Sequence, residues 1–170
     1  MRFLQIMPVI LTGMIAAFFD LKTGKIPNTL ILAALAAGVG WQLFANGPKG
    51  ILKFAAGAVI PVILLGALFY FRMIGAGDIK LLGAVGGFLG VEKIFICMLW
   101  TFLAGGVYAC GLLLYRRNLK ERLLYFWTYV WNYGNTREWE PYLKVDSVDN
   151  RLYFSIPVLI SIFFYAGGIY

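Results

Sequence analysis

The chain has 170 residues, of which 61% are hydrophobic, and its mean hydropathy is +0.80. Soluble domains carry roughly half apolar residues, so the composition excludes an ordinary water-soluble fold and indicates a membrane protein. The formal net charge of +7 is explained by basic residues that meet anionic lipid at the membrane surface, and we expect no nucleic acid partner.

The apolar residues form continuous runs, which favour helices over the alternating strands of a membrane barrel. A helix needs about 20 residues to cross a bilayer, and the second and fourth runs are shorter than this. The predicted fold class is all-α, a polytopic membrane helical bundle of about six transmembrane helices. The six apolar runs lie at residues 3–19, 29–44, 54–71, 79–91, 94–115 and 152–170.

Residues 116–150 form a long polar stretch, which we interpret as a cytoplasmic or interfacial loop within a single membrane domain, 1–170. Basic and large apolar residues are interleaved in its first half, and the apolar ones recur at helical spacing. This pattern predicts an amphipathic helix lying in the membrane interface. Such a helix is either an anchor on anionic lipid or a surface that guides a basic peptide. The apolar positions are Leu119, Leu123, Phe126, Trp127 and Val130.

The distribution of lysine and arginine predicts the orientation in the membrane. With the amino terminus outside, eleven basic residues lie on the cytoplasmic side and four on the opposite side. We therefore predict that both termini are outside. The eleven are Lys22, Lys25, Arg72, Lys80, Arg116, Arg117, Lys120, Arg122, Arg137, Lys144 and Arg151, and the four are Arg2, Lys49, Lys53 and Lys93.

Two aspartates stand at the edges of apolar runs, at the predicted cytoplasmic ends of the first and fourth helices. Asp20 ends the first run, and Asp78 follows Gly75 and Gly77, which allow a tight turn of the backbone. An aspartate at this depth either ends or caps a helix or marks a functional site. Because Asp78 would lie in the first turn of a helix, the helix dipole predicts that it is the more acidic of the two.

Two neighbouring carboxylates share a proton, so that the anionic one can activate water while the protonated one polarises a peptide carbonyl.

Other side chains that could support catalysis are few in this sequence. It contains no histidine, which excludes serine–histidine pairs and the usual zinc sites. Cys97 and Cys110 lie 13 residues apart in one apolar run, roughly 20 Å along a helix, so they cannot pair. Asp146 and Asp149 are two acids in an exposed loop and do not predict a metal site. We therefore expect no cofactor and no metal.

Two sequence blocks resemble the type IV prepilin peptidases, which are membrane aspartyl proteases with a Gly-x-Gly-Asp motif. The blocks are Asp20 with Lys25-Ile26-Pro27-Asn28, and Gly75-Ala76-Gly77-Asp78-Ile79-Lys80. Their order and their spacing of 58 residues match as well, and the similarity covers roughly residues 10–115. The resemblance implies that Asp20 and Asp78 are the catalytic residues. The supporting motif residues are Lys25, Ile26, Pro27, Asn28, Gly75, Gly77 and Lys80.

The supporting residues also have simpler interpretations. The sequence predicts a tight cytoplasmic turn formed by Lys22, Lys25, Pro27 and Asn28, whose role is either structural or to position Asp20. Lys80 lies two residues from Asp78, so on a helix it points to a different face, and we interpret it mainly as an anchor that reaches the lipid headgroups.

The resemblance further implies a substrate, the leader of a prepilin or pilin-like protein, with basic residues before an apolar helix. It would be cut on the cytoplasmic side of a prokaryotic inner or plasma membrane. Many relatives carry paired Cys-x-x-Cys motifs linked to methylation of the new amino terminus. This sequence contains none, so it resembles the short, peptidase-only type and methyltransferase activity is not expected.

Two alternative functions use the same aspartates. A presenilin-like protease would cut within transmembrane helices, but Phe19 stands before Asp20 where that family has tyrosine. An ion-coupled carrier would use Asp20 and Asp78 as proton or sodium sites, but the sequence shows no internal repeat of the kind common in carriers. The oligomeric state is not predicted by these patterns.

Overall fold

The computed structural model describes residues 2–70, 74–115 and 153–169, together with residues 124, 127, 128 and 131. These ranges contain six helices and no strand, which confirms the all-α class. The helices are α1, Arg2–Thr23; α2, Asn28–Asn46; α3, Lys49–Tyr70; α4, Ala76–Leu89; α5, Val91–Tyr115; and α6, Ser155–Ala166.

Four helices in the described part of the chain are long and apolar enough to cross a membrane, namely α1, α2, α3 and α5. The protein is therefore a polytopic helical membrane protein, as predicted. Two of the six predicted crossings are short: α4 has 14 residues and α6 has 12, or about 21 and 18 Å of helix. Helix α4 ends because Gly90 adopts a φ of 80°, in the left-handed region that glycine tolerates.

Helix α4 is the most enclosed element, since every residue from Leu81 to Leu89 is buried. It packs against α3, α2 and α1, while α1 packs against α6. Gly57 of α3 and Gly86 of α4 bring these two backbones into direct contact, because a Cβ on either glycine would collide with the carbonyl oxygen of the other. Small residues commonly permit such close helix approach in membranes.

The carboxyl end of α4 is held by a buried side chain of α2. Gln42 Nε2 donates hydrogen bonds of 3.1 Å to the carbonyl oxygens of Gly87 and Phe88, and its own Oε1 accepts one of 2.7 Å from Asn46. The last carbonyls of a helix lack partners within it. Gln42 therefore provides hydrogen-bond donors to carbonyl groups at the end of α4, a role that the hydropathy pattern did not indicate.

These packed helices belong to one compact unit, Met1–Gly105 with Tyr153–Tyr170, and Gly106–Leu152 forms a second. In the second unit the described residues are the end of α5 and four isolated positions. Leu124, Trp127 and Trp131 are helical and exposed. The rest of the predicted amphipathic helix and of the loop at 116–150 lies outside the described residues, and these two predictions stay predictions.

Candidate active site

Asp20 lies in the last turns of α1, and the chain reverses direction directly after it. Gly24 has a φ of 66°, and its N–H donates to the carbonyl oxygen of Asp20 at 2.7 Å, which is a common way to end a helix. The next helix begins at Asn28, with Pro27 as its N-cap at a φ of −62°, a value that proline imposes. Residues 24–27 thus form a short connection beside Asp20, whereas Lys22 and Asn28, which were predicted in the turn, belong to α1 and α2.

Asp78 lies in the first turn of α4, as predicted, with Gly75 as the N-cap. The predicted reason for the glycines is wrong for Gly75, whose φ of −73° is open to any residue, and Gly77 does not have a positive φ either. Gly75 provides space instead, because a Cβ there would lie 3.0 Å from the Asp78 carboxylate oxygen Oδ2. A Cβ on Gly77 would make only ordinary contacts with Ile26, at 3.5 Å or more.

The two aspartates line the same cavity of about 330 Å³, where α1 ends and α2 and α4 begin. Helices α1 and α4 are in contact, as a shared site requires. Of the predicted supporting residues, all except Pro27 line this cavity. The cavity is lined by Asp20, Gly24, Lys25, Ile26, Asn28, Gly75, Ala76, Gly77, Asp78 and Lys80.

Lys80, interpreted from the sequence mainly as a lipid anchor, has a hydrogen-bond partner in α2, and its role as an anchor stays a prediction. Its Nζ donates a hydrogen bond of 3.0 Å to Oδ1 of Asn28, so its long side chain returns to the cavity that Asp78 lines. The same two residues also line a second, largely apolar cavity of about 510 Å³ between α2, α3 and α4. Lys80 therefore links α4 to α2 beside the aspartates.

Ser155 is a site residue that sequence reasoning missed. Its Oγ donates a hydrogen bond of 2.6 Å to Oδ2 of Asp20, and both side chains are buried. Ser155 is the first residue of α6 and lies 135 positions from Asp20. Serine is common at helix starts, so the sequence carried no signal that this one meets a carboxylate.

The electrostatics of Asp78 differ from the prediction based on the helix dipole. Burial, with a smaller contribution from the negative charge of Asp20, raises the pKa of Asp78 to about 6 against the opposing effect of a backbone hydrogen bond at Gly75. Asp78 lies outside the four candidate spans. The predicted acidity of Asp78 is therefore wrong in direction, because the loss of water around the carboxylate outweighs the favourable helix start.

The described residues contain no group of three histidine, cysteine, aspartate or glutamate side chains that could hold a metal ion. Cys97 is buried and Cys110 is exposed, and neither lines the cavity of the aspartates. In the described part of the chain, the polar side chains that line this cavity or contact its aspartates are Asp20, Lys25, Asn28, Asp78, Lys80 and Ser155. Asp146 and Asp149 lie outside the described residues.

The fold and the site define a class: a polytopic helical membrane protein with a pair of aspartates in one cavity at the end of the bundle. A model of the type IV leader peptidase family matches residues 7–110, which include both aspartates. The chain belongs to this family, and the resemblance seen in its motifs is confirmed.

The curated proteins that this chain resembles are named for two activities, prepilin leader peptidase and N-methyltransferase. The chain is 30% identical over 131 residues to a prepilin leader peptidase/N-methyltransferase of Aeromonas salmonicida strain A449 and 29% identical to one of Aeromonas hydrophila. Each alignment covers 72% of this chain and 45% of the relative. The chain thus spans less than half the length of these relatives. No solved structure matches.

Proposed function

We propose that the protein is a membrane aspartyl endopeptidase that removes the leader peptide of prepilins or pilin-like proteins. The observation that carries this proposal is the placement of Asp20 and Asp78 in one cavity, in a chain of the type IV leader peptidase family. The similarity to proteins named prepilin leader peptidases supports the substrate class.

The proposed mechanism divides the chemistry between the two carboxylates. Anionic Asp20 takes a proton from a water molecule, whose oxygen adds to the carbonyl carbon of the scissile peptide, while Asp78 gives its proton to the carbonyl oxygen. The tetrahedral intermediate then collapses: the C–N bond breaks, the leaving nitrogen receives a proton from Asp20, and the hydroxyl formed from the carbonyl oxygen returns its proton to Asp78 as the C=O bond re-forms. The raised pKa of Asp78 supports its role as the proton donor. The hydrogen bond from Ser155 to Asp20 supports the role of Asp20 as the anionic proton acceptor.

We place the protein in a prokaryotic cytoplasmic membrane, with both termini outside and the aspartates on the cytoplasmic side. Lys25 and Lys80 line the cavity of the aspartates, in agreement with the excess of basic residues expected on the cytoplasmic side. A substrate with a basic leader on that side and an apolar helix in the lipid would present the junction between them to the cavity.

The purified protein, mixed with a prepilin in detergent, is expected to cut the prepilin at the junction between its leader and its apolar segment. Unwinding the end of a helix costs less than unwinding its middle, because the terminal backbone groups already lack partners within the helix. Mass spectrometry of the new amino terminus measures the position. A cut deep within the apolar segment would support the presenilin-like alternative, and proton- or sodium-coupled transport in vesicles without any cleavage would support a carrier.

We further propose that this chain carries the peptidase activity alone, since the sequence holds only two cysteines, Cys97 and Cys110, and no Cys-x-x-Cys. The same mass spectra test this statement when S-adenosylmethionine is added. The new amino terminus is expected without the added mass of a methyl group. A methylated product would contradict the peptidase-only assignment and leave the peptidase proposal intact.

Prolonged treatment with EDTA is expected to leave the rate of cleavage unchanged, because two carboxylates can activate water without a metal. The measurement compares cleavage rates of chelated protein before and after adding back Mg²⁺, Ca²⁺, Mn²⁺ or Zn²⁺ singly. Loss of activity that one of these ions restores would contradict the metal-free mechanism and would direct attention to Asp146 and Asp149.

A further inference from the structure

The contact between Ser155 and Asp20 joins the last helix to the candidate active site. Ser155 Oγ and Asp20 Oδ2 are 2.6 Å apart, and the serine side chain is fully buried. Hydrogen bonds from a hydroxyl to a carboxylate have this short length. A hydroxyl has one proton to donate, and here that proton points at the carboxylate.

The helix that carries Ser155 is itself firmly held. It packs against α1, and Ser161, two turns further along, donates a hydrogen bond of 2.8 Å to the carbonyl oxygen of Cys97 in α5. Near its other end the buried Tyr165 accepts one of 3.0 Å from Lys93. The position of the Ser155 hydroxyl is therefore determined by the packing of a whole helix.

A donor at this position has two effects on Asp20. It occupies Oδ2 and so fixes the rotation of the carboxylate, leaving Oδ1 as the oxygen that can face water in the cavity. It also favours the charged form of the group that accepts the hydrogen bond. Both effects act on Asp20 alone, so they make two chemically identical side chains unequal.

We propose that Ser155 is a positioning residue that holds Asp20 as the anionic, water-activating member of the aspartate pair. This inference rests on the proposed function. The charged groups that line the same cavity are Asp78, Lys25 and Lys80, and they remain in place when Ser155 is changed. Lys22 lies on α1, the helix that carries Asp20, and its Nζ is 5.9 Å from the centre of the Phe18 ring.

Ser155→Ala is expected to lower kcat for prepilin cleavage about 10- to 100-fold, the range for one hydrogen bond to a charged group, with KM little changed. Without the donor the anionic form of the pair is less favoured, so the acid limb of the kcat/KM profile moves to higher pH. Ser155→Thr keeps the hydroxyl and is expected to restore both. If Ser155→Ala does not fold, Ser155→Cys serves as its near-isosteric substitute, because a thiol is a weak donor.

Ser161→Ala is the matched control, since it removes another fully buried serine hydroxyl from the same helix. We expect it to lower the thermal stability in detergent while leaving the pH profile in its original position. Equal losses of activity in the alanine variants of Ser155 and Ser161, with unmoved pH profiles, would reduce Ser155 to a packing residue and overturn the proposal. Wild-type kcat and pH profile in Ser155→Ala would overturn it as well.

Infrared spectroscopy of the carboxylates separates a failure of this inference from a failure of the proposed function. The difference between wild type and Asp20→Asn assigns the Asp20 signal without any substrate. In Ser155→Ala the stretching bands of the Asp20 carboxylate are expected to shift, because Oδ2 loses the short hydrogen bond from the hydroxyl. Unchanged bands would overturn the role of Ser155 even if the protein cuts prepilins. Shifted bands would support it even if some other peptide is the substrate.

Discussion

Asp20→Asn and Asp78→Asn are each expected to lower the rate of prepilin cleavage by about 10²- to 10⁴-fold or more, the range for loss of a general acid or base. Asparagine has nearly the same shape as aspartate but can neither take a proton from water nor give one to the carbonyl oxygen. The rate is measured from the conversion of purified prepilin to its shorter product over time.

The double variant distinguishes a catalytic pair from two independent effects. Members of one catalytic unit act non-additively. The variant that carries both Asp20→Asn and Asp78→Asn is therefore expected to cleave prepilin hardly more slowly than either single variant. Glu92→Gln is the matched control, because Glu92 is also an acidic residue in the first turn of a helix, α5, but does not line the cavity. Substantial cleavage by either single aspartate variant, with the fold intact, would contradict the mechanism.

Gly57→Ala is expected to destabilise the protein by about 1 to 3 kcal/mol or more, the usual cost of forcing extra atoms into a packed core. The added methyl group would collide with the carbonyl oxygen of Gly86, which is backbone and cannot rotate away. Helices α3 and α4 would have to separate, and α4 carries Asp78. We therefore expect a lower unfolding temperature in detergent and reduced cleavage.

Gly66→Ala on the same helix is the control for this change. A Cβ on Gly66 has no neighbour within 4 Å, and alanine is favoured over glycine in a helix by up to about 1 kcal/mol. Gly66→Ala should therefore be neutral or slightly stabilising. If both alanine variants unfold at the same temperature as wild type, the close contact between Gly57 and Gly86 is not required for stability.

Local patterns in the sequence were sufficient for the class of protein and for the position of the two aspartates. Long apolar runs can satisfy their backbone in lipid only as helices, so the membrane class follows from composition and periodicity. The placement of Asp78 in a first helical turn follows from the glycines and the apolar run beside it. Helix ends were less well predicted: α3 begins at Lys49 and α4 at Ala76, before their apolar runs, because a helix can extend into polar residues at its ends.

Tertiary structure decided what surrounds the aspartates. Ser155 reaches Asp20 across 135 positions and Lys80 reaches Asn28 across 52, and no periodicity carries information about such distant partners. The pKa of Asp78 depends on how much water the packed helices exclude, and this burial outweighs the helix dipole, which can be read from the sequence. The sequence alone therefore determined which carboxylates stand at the ends of apolar helices, whereas packing decided their partners and the ease with which Asp78 keeps a proton.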